Sequence, residues 1–183
     1  MGLVTLTTWK AYAKKADGDA TLEALYQTFV DSAEQIVKDY LGYNPASQTY
    51  TSETYYGSGT SSLTLKSKPI TAIASIKVNG VSKTVGDYTI DGERITNKYG
   101  EIFGRSDIIV ITYTAGLSAG DTRLGLVILT CMDIASLLSQ NAGDNIGVSS
   151  VTMDGGASRT FVNYNDFRKQ LARLASMRLV RLP

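Results

Sequence analysis

Asp133 is the carboxylate in this chain with the strongest claim to chemistry. It interrupts an apolar run, TRLGLVILTCMDIASLLSQ at 122–140. A carboxyl group buried among hydrocarbon side chains has a raised pKa and can carry a proton. The simpler reading is a helix-edge carboxylate that pairs across an interface or reaches water. Cys131, two positions earlier, has no basic neighbour in sequence and reads as packing. Gly57-Ser58-Gly59 follows a strand-like run, as a phosphate loop would, but no Lys-Ser or Lys-Thr pair completes a nucleotide-binding pattern. Asp87, Asp91 and Glu93 cluster near turns. A metal site needs convergent ligands and usually more of them, so ordinary turn acids fit better.

The chain contains no histidine and one cysteine. That removes the commonest general base, Ser-His and Cys-His nucleophile pairs, and an ordinary zinc site. No catalytic, cofactor-binding or metal-ligating residue is assigned, no cofactor is expected, and the chain is not expected to be an enzyme. The C-terminal stretch is the clearest charge anomaly. Arg168, Lys169, Arg173, Arg178 and Arg181 follow Asp166 with no further acid. A basic amphipathic helix contacts nucleic acid, a membrane surface or an acidic protein. It can also be a solvated face favoured by the helix dipole. With Phe167 as its one aromatic, it makes a poor base-stacking platform, so an acidic protein partner is the better reading. A nucleic-acid-binding module using this helix is the alternative.

These residues need elements to position them. Behind Asp121 as N-cap, Leu124, Val127, Ile128, Cys131, Ile134, Ala135 and Leu138 recur at helical spacing over 122–140. The opposite face carries Leu126, Leu129, Thr130, Asp133 and Leu137, so the helix should be covered on two sides, one by its own chain and one by a long connection or a neighbouring subunit. It reads as too short, and interrupted by Asp133, for a membrane span. Thr7 or Thr8 caps a short helix over 9–15. Asp19 or Thr21 starts a long one to about Leu41, with Leu22, Leu25, Tyr26, Phe29, Ala33, Ile36, Val37 and Tyr40 as its stripe. Glu23, Asp31, Glu34, Lys38 and Asp39 supply its wet face, and Gly42 and Pro45 end it.

From about Gln48 the apolar period drops to two. Strands are expected at 48–56, 63–65, 72–78, 87–91 and 108–114, the last central because of its β-branched density. Asn79-Gly80 signals a type I′ hairpin, and Asp91-Gly92 a second tight turn. The Gly-rich segment 141–163 is either a hairpin or an arm that orders on a partner. A last helix runs from Asn163 or Asn165 to about Val180. The expected class is α+β: mainly a helical bundle, 1–47 and 118–183, with a small antiparallel β lobe, 48–117, inserted between two long helices. A hydrophobic content of 43% and a net charge of +1 describe an ordinary globular protein with no overall bias toward nucleic acid. One cysteine and no signal-peptide pattern fit a reducing cytosol.

The order of these segments resembles the head–tail connector (head-completion, or adaptor) proteins of long-tailed bacteriophages and prophages. The resemblance is carried by DATLEALYQTFVDSAEQIVKDYLGY at 19–43, LTLKSKPITAIASIKVNG at 63–80, DYTIDGERI at 87–95, VITYTAGL at 110–117 and IGVSSVTMDGGASRTF at 146–161. It implies a structural protein of the virion neck, made in the bacterial host cytoplasm. Such proteins form a ring, commonly of about twelve copies, on the portal. The ring extends the DNA channel, through which packaged DNA passes without sequence-specific contact, and docks the next neck or tail protein. No membrane is implied. The last helix and its arm are the expected portal-docking elements, through Phe167, Arg168, Lys169, Leu171, Arg173, Leu174 and Arg178. Leu126, Leu129, Asp133 and Leu137 are the expected subunit interface.

Overall fold

Threonine and aspartate start the first two helices by the same device, a side-chain oxygen that accepts an unpaired backbone N–H. A computed structural model describes residues 2–141, 150–152, 158–160 and 164–178. The first helix, α1, is Leu6–Ala13, and its cap is Thr5, which accepts from the Thr8 amide at 3.2 Å. The helix thus begins earlier than Thr7 or Thr8 would allow and ends at Lys14 in the left-handed region. The second, α2, is Ala20–Leu41, capped by Asp19, which accepts from the Leu22 amide at 2.9 Å, and closed by Gly42 at φ 81°.

The stripe expected on α2 is rotated. Val30, Ala33, Glu34, Val37 and Leu41 are the buried positions, whereas Leu22 and Leu25 are exposed. Glu34, expected on the wet face, is buried because it satisfies the Val4 amide at 2.7 Å and pairs with Lys38 at 3.1 Å. The third helix, α3, is Thr122–Asn141, opened by Asp121 accepting from the Arg123 amide at 2.9 Å. By length and composition it could cross a membrane, which corrects the expectation that it is too short. In this chain its Val127, Cys131, Ile134 and Ala135 are buried in a packed interior. The last helix, α4, is Tyr164–Ala172, and a 3-10 turn follows at Ala175–Met177. It is therefore shorter than expected, and Arg173, Leu174 and Arg178 lie beyond it; Arg181 lies outside the described residues.

The chain divides into two compact units, one of residues 1–42 with 125–183 and one of residues 43–124. In the second, seven strands are formed: β1 Gln48–Tyr56, β2 Ser62–Thr64, β3 Ile70–Val78, β4 Val81–Lys83, β5 Tyr88–Asp91, β6 Arg94–Asn97 and β7 Ile108–Ala115. They make a four-stranded sheet in the order β1-β7-β3-β4 and a three-stranded sheet in the order β2-β6-β5. β7 is interior, as its β-branched run requires: alternate residues Ile109, Ile111, Tyr113 and Ala115 are buried. Asn79 and Gly80 take φ 51° and 81°, the two positive values that a type I′ turn needs. A bulge in β1 between Tyr50 and Glu53 places Ser52 at φ 52°. Leu63, Leu65, Ile76, Ile95, Phe103 and Ile109 are among the residues that fill the core of this unit.

The α+β class holds, but the weight expected on the helical bundle does not, because helices account for 41% and antiparallel sheet for 29% of the described residues. Of the Gly-rich segment, β8 Ser150–Thr152 and β9 Ser158–Thr160 pair antiparallel. The rest of 142–163 lies outside the described residues.

Candidate functional site

Asp133 sits at mid-helix in α3 with its side chain 18% exposed. Its Oδ1 accepts from the Tyr12 hydroxyl of α1, and its Oδ2 from Arg173 Nη1 at 2.7 Å. One carboxylate therefore ties three segments of the helical unit together. The hydrogen bond to Asp133 is the main cause that lifts the Tyr12 phenol above its ordinary range. Both oxygens are committed to donors, one of them a guanidinium, so the side chain is a structural joint rather than an isolated buried acid. Four positions upstream of it, Leu129 is 37% exposed, while Leu126 and Leu137 on the same face are half-buried. Tyr12 and Arg173 roof the middle of this face, and its Leu129 portion is open.

The other face of α3 is internal. Trp9 donates through Nε1 to Ser136 Oγ at 3.1 Å, and Ser136 donates to the Met132 carbonyl at 2.8 Å. Cys131 is buried, and desolvation pushes its thiol up to about 12, which makes it inert as a nucleophile.

Of the expected docking residues, Arg168, Lys169, Arg173 and Arg178 are exposed, and Phe167 and Leu171 are half-buried. Leu174 is fully buried and serves as the anchor of this segment. Several of the cations already have uses inside the chain. Lys169 pairs with Asp166 at 3.2 Å, Arg173 with Asp133, and the Arg178 guanidinium lies 5.3 Å from the centre of the Tyr40 ring. The structure thus joins the two expected surfaces at Asp133–Arg173, a link that nothing in the spacing of those residues announces.

The remaining candidates separate. Gly57 and Gly59 spend their amides on the Asp107 and Phe103 carbonyls at 3.0 and 2.8 Å, so this loop cradles no phosphate. Glu93 faces Lys68 at 3.6 Å, an ion pair too long to count as a hydrogen bond. Among the described residues no group of three acidic or cysteine side chains converges as a metal site. Two polar clusters were not legible in sequence. Lys10 is buried with Asp17 and Glu23 on its ammonium, across the α1–α2 connection. Glu53 Oε2 accepts from the hydroxyls of Tyr55 and Tyr113 at 2.6 and 2.9 Å. Burial is the chief cause that lifts both phenols, Tyr113 to about 12 and Tyr55 further.

The described residues make an α+β protein with a partly open apolar helix face, an ion-paired carboxylate at the middle of that face, and a β unit. The chain belongs to the head completion protein family, whose model matches residues 2–170. Two solved structures share its fold. One is described as the neck of an empty gene transfer agent particle computed with C6 symmetry, with TM-score 0.59, 14% identity, and 99% of this chain and 92% of that chain covered. The other is the virion of a native gene transfer agent particle, with TM-score 0.57, 13% identity and the same coverage. Comparison with curated proteins gives no match.

Proposed function

We propose that this protein is a head–tail connector of a long-tailed phage or prophage, located in the virion neck after synthesis in the host cytoplasm. The observation that carries the reading is the family match, which runs through both units and into α4. In this reading about twelve copies close a ring on the portal, a number compatible with the C6 symmetry applied to the similar neck structure. The ring extends the channel for packaged DNA, without sequence-specific contact, and docks the next neck or tail protein. Neither membrane nor cofactor enters the mechanism.

The helical segments 1–47 and 118–183 form the connector domain, and 48–117 is its inserted β lobe. The subunit interface uses Leu126, Leu129 and Leu137 around Asp133. The open Leu129 supports this, since a neighbour covering it removes apolar surface from water. Phe167, Arg168, Lys169, Leu171, Arg173 and Arg178 dock on the portal, held by Leu174. The internal uses of Lys169, Arg173 and Arg178 favour this protein contact over nucleic-acid binding, which needs those cations for phosphates.

Light scattering behind a sizing column, across a wide concentration range and with purified portal added, tests the reading. A closed ring, alone or on the portal, is expected, and Leu129→Glu should shift the mass toward monomer with helix content unchanged. A chain that stays monomeric and does not bind the portal refutes it.

A further inference from the structure

The segment that follows α4 is fastened to its own helical unit at three points. Arg173 Nη1 donates to Asp133 Oδ2 on α3 at 2.7 Å. Leu174 is completely buried. The Arg178 guanidinium lies 5.3 Å from the centre of the Tyr40 ring on α2. Residues 173–178 thus form a strap. Its cradle is made by α2 and α3, with Tyr12 of α1 on the other oxygen of Asp133.

The strap lies on the face that a neighbouring copy has to cover. Asp133 is one turn from Leu129 and one turn from Leu137 along the same stripe of α3. Leu129 is 37% exposed and Leu137 is half-buried, so apolar surface remains on either side of the anchored guanidinium. A copy that covers both leucines meets the strap between them.

Strap and cradle differ in chemistry. The strap carries Arg173, Leu174 and Arg178, and the cradle answers with a carboxylate and a tyrosine ring. A head-to-tail ring needs two different, complementary patches on every copy, and here one chain already holds such a pair. The same bonds form when the strap of one copy enters the cradle of the next, so exchange is close to neutral in those contacts. What exchange adds is a tether. A strap that has crossed holds a second copy against the open Leu129 at high effective concentration, where covering the leucine removes apolar surface from water.

The connection is long enough for the crossing. Residues 142–163 join α3 to α4, and within them β8 pairs with β9. The stretches 142–149 and 161–163 flank that pair. At about 3.3 Å per residue they span up to about 36 Å, against about 30 Å for the diameter of a small domain.

We propose that the strap is exchanged between copies: Arg173, Leu174 and Arg178 of one copy occupy the Asp133 and Tyr40 cradle of the next. The inference rests on the ring reading above. A second copy is the occupant because the chain's own strap already matches the cradle at each of these groups. Exchange leaves the exposed side of α4 as it is, so the portal contact is retained.

The test uses the full chain in two single variants. Asp133→Arg sets two cations against each other at the joint, and Arg173→Asp sets two carboxylates. Mass is read by light scattering behind a sizing column, with and without purified portal, and helix content by circular dichroism. Each variant alone is expected to need about tenfold or more higher concentration to assemble. An equimolar mixture of the two should recover assembly, because every strap then finds the opposite charge on the other copy. A strap that stays within its own chain gives no recovery, since each chain keeps its mismatch, and that result overturns the proposal. Single variants that assemble as readily as the unaltered chain overturn it too. A second measurement does not depend on the joint. Tyr40→Cys and Arg178→Cys are placed together in one chain, assembled, and treated with a short bis-maleimide; Cys131 is buried and unreactive. A ladder of linked chains on a denaturing gel is expected, and links confined to single chains overturn the exchange. If the single charge variants lose helix content, this thiol pair decides alone. A chain that neither assembles nor binds the portal refutes the ring and the exchange together, whereas a ring linked only within chains refutes the exchange alone.

Discussion

Replacing Asp133 by alanine separates a structural joint from a buried acid by the sign of the effect. The substitution removes the acceptors for Tyr12 and Arg173. The Arg173 side chain is 45% exposed and Tyr12 is 44% exposed, so both donors rehydrate and neither is stranded. Each bond then contributes below the range for buried charged partners and within that of solvent-screened pairs, about 0.5–1 kcal/mol. Alanine recovers about 0.5 kcal/mol in helix propensity over aspartate. The expected net loss is about 1 kcal/mol. Urea unfolding at neutral pH, read by the fluorescence of the single tryptophan, buried Trp9, measures it in the unit that contains the joint. A cycle with Arg173→Ala should show the two losses less than additive, with a coupling of about 0.5–1 kcal/mol. An unpaired buried carboxylate behaves oppositely, because its removal relieves desolvation and stabilises the fold. A gain in stability, or strict additivity in the cycle, refutes the joint.

Three further outcomes follow from the geometry. Gly116 has φ 113°, and a Cβ there would lie 2.4 Å from the Ala46 carbonyl oxygen, so Gly116→Ala should cost at least about 3 kcal/mol in thermal or urea unfolding. Tyr55 and Tyr113 hold their protons above the range where an unfolded tyrosine ionises. Their contribution is complete below about pH 10 and is lost as pH rises toward the folded values; urea midpoints should fall on that limb, less steeply with both changed to phenylalanine. The hydrogen bond to Lys10 holds the Asp17 and Glu23 carboxyls below their usual range. Their contribution is present above about pH 4 and is lost as pH falls through the folded values, so Lys10→Met should flatten the acid limb of the stability profile.

Local chemistry was legible in the sequence wherever it is short-range. Asp19 and Gly42 bound α2, Asn79-Gly80 turns β3 into β4, and the β-branched run of β7 lies inside its sheet. Each depends on dihedral preference or on capping within a few residues. The absent histidine and the alternation of helical and two-residue periods likewise belong to the sequence alone. Which face of a helix is wet does not. Periodicity put Leu22 and Leu25 in the core and Glu34 in solvent, and the fold reverses all three: Leu22 and Leu25 are exposed, and Glu34 is buried where it accepts from the Val4 amide 30 positions away. The partners of Asp133 lie 121 and 40 positions away, and Glu53 meets Tyr113 across 60. Spacing carries no signal at such separations. Within the β unit, the way its two sheets pack brings the Tyr55 hydroxyl to the Lys66 amide, a contact that only the tertiary structure decides.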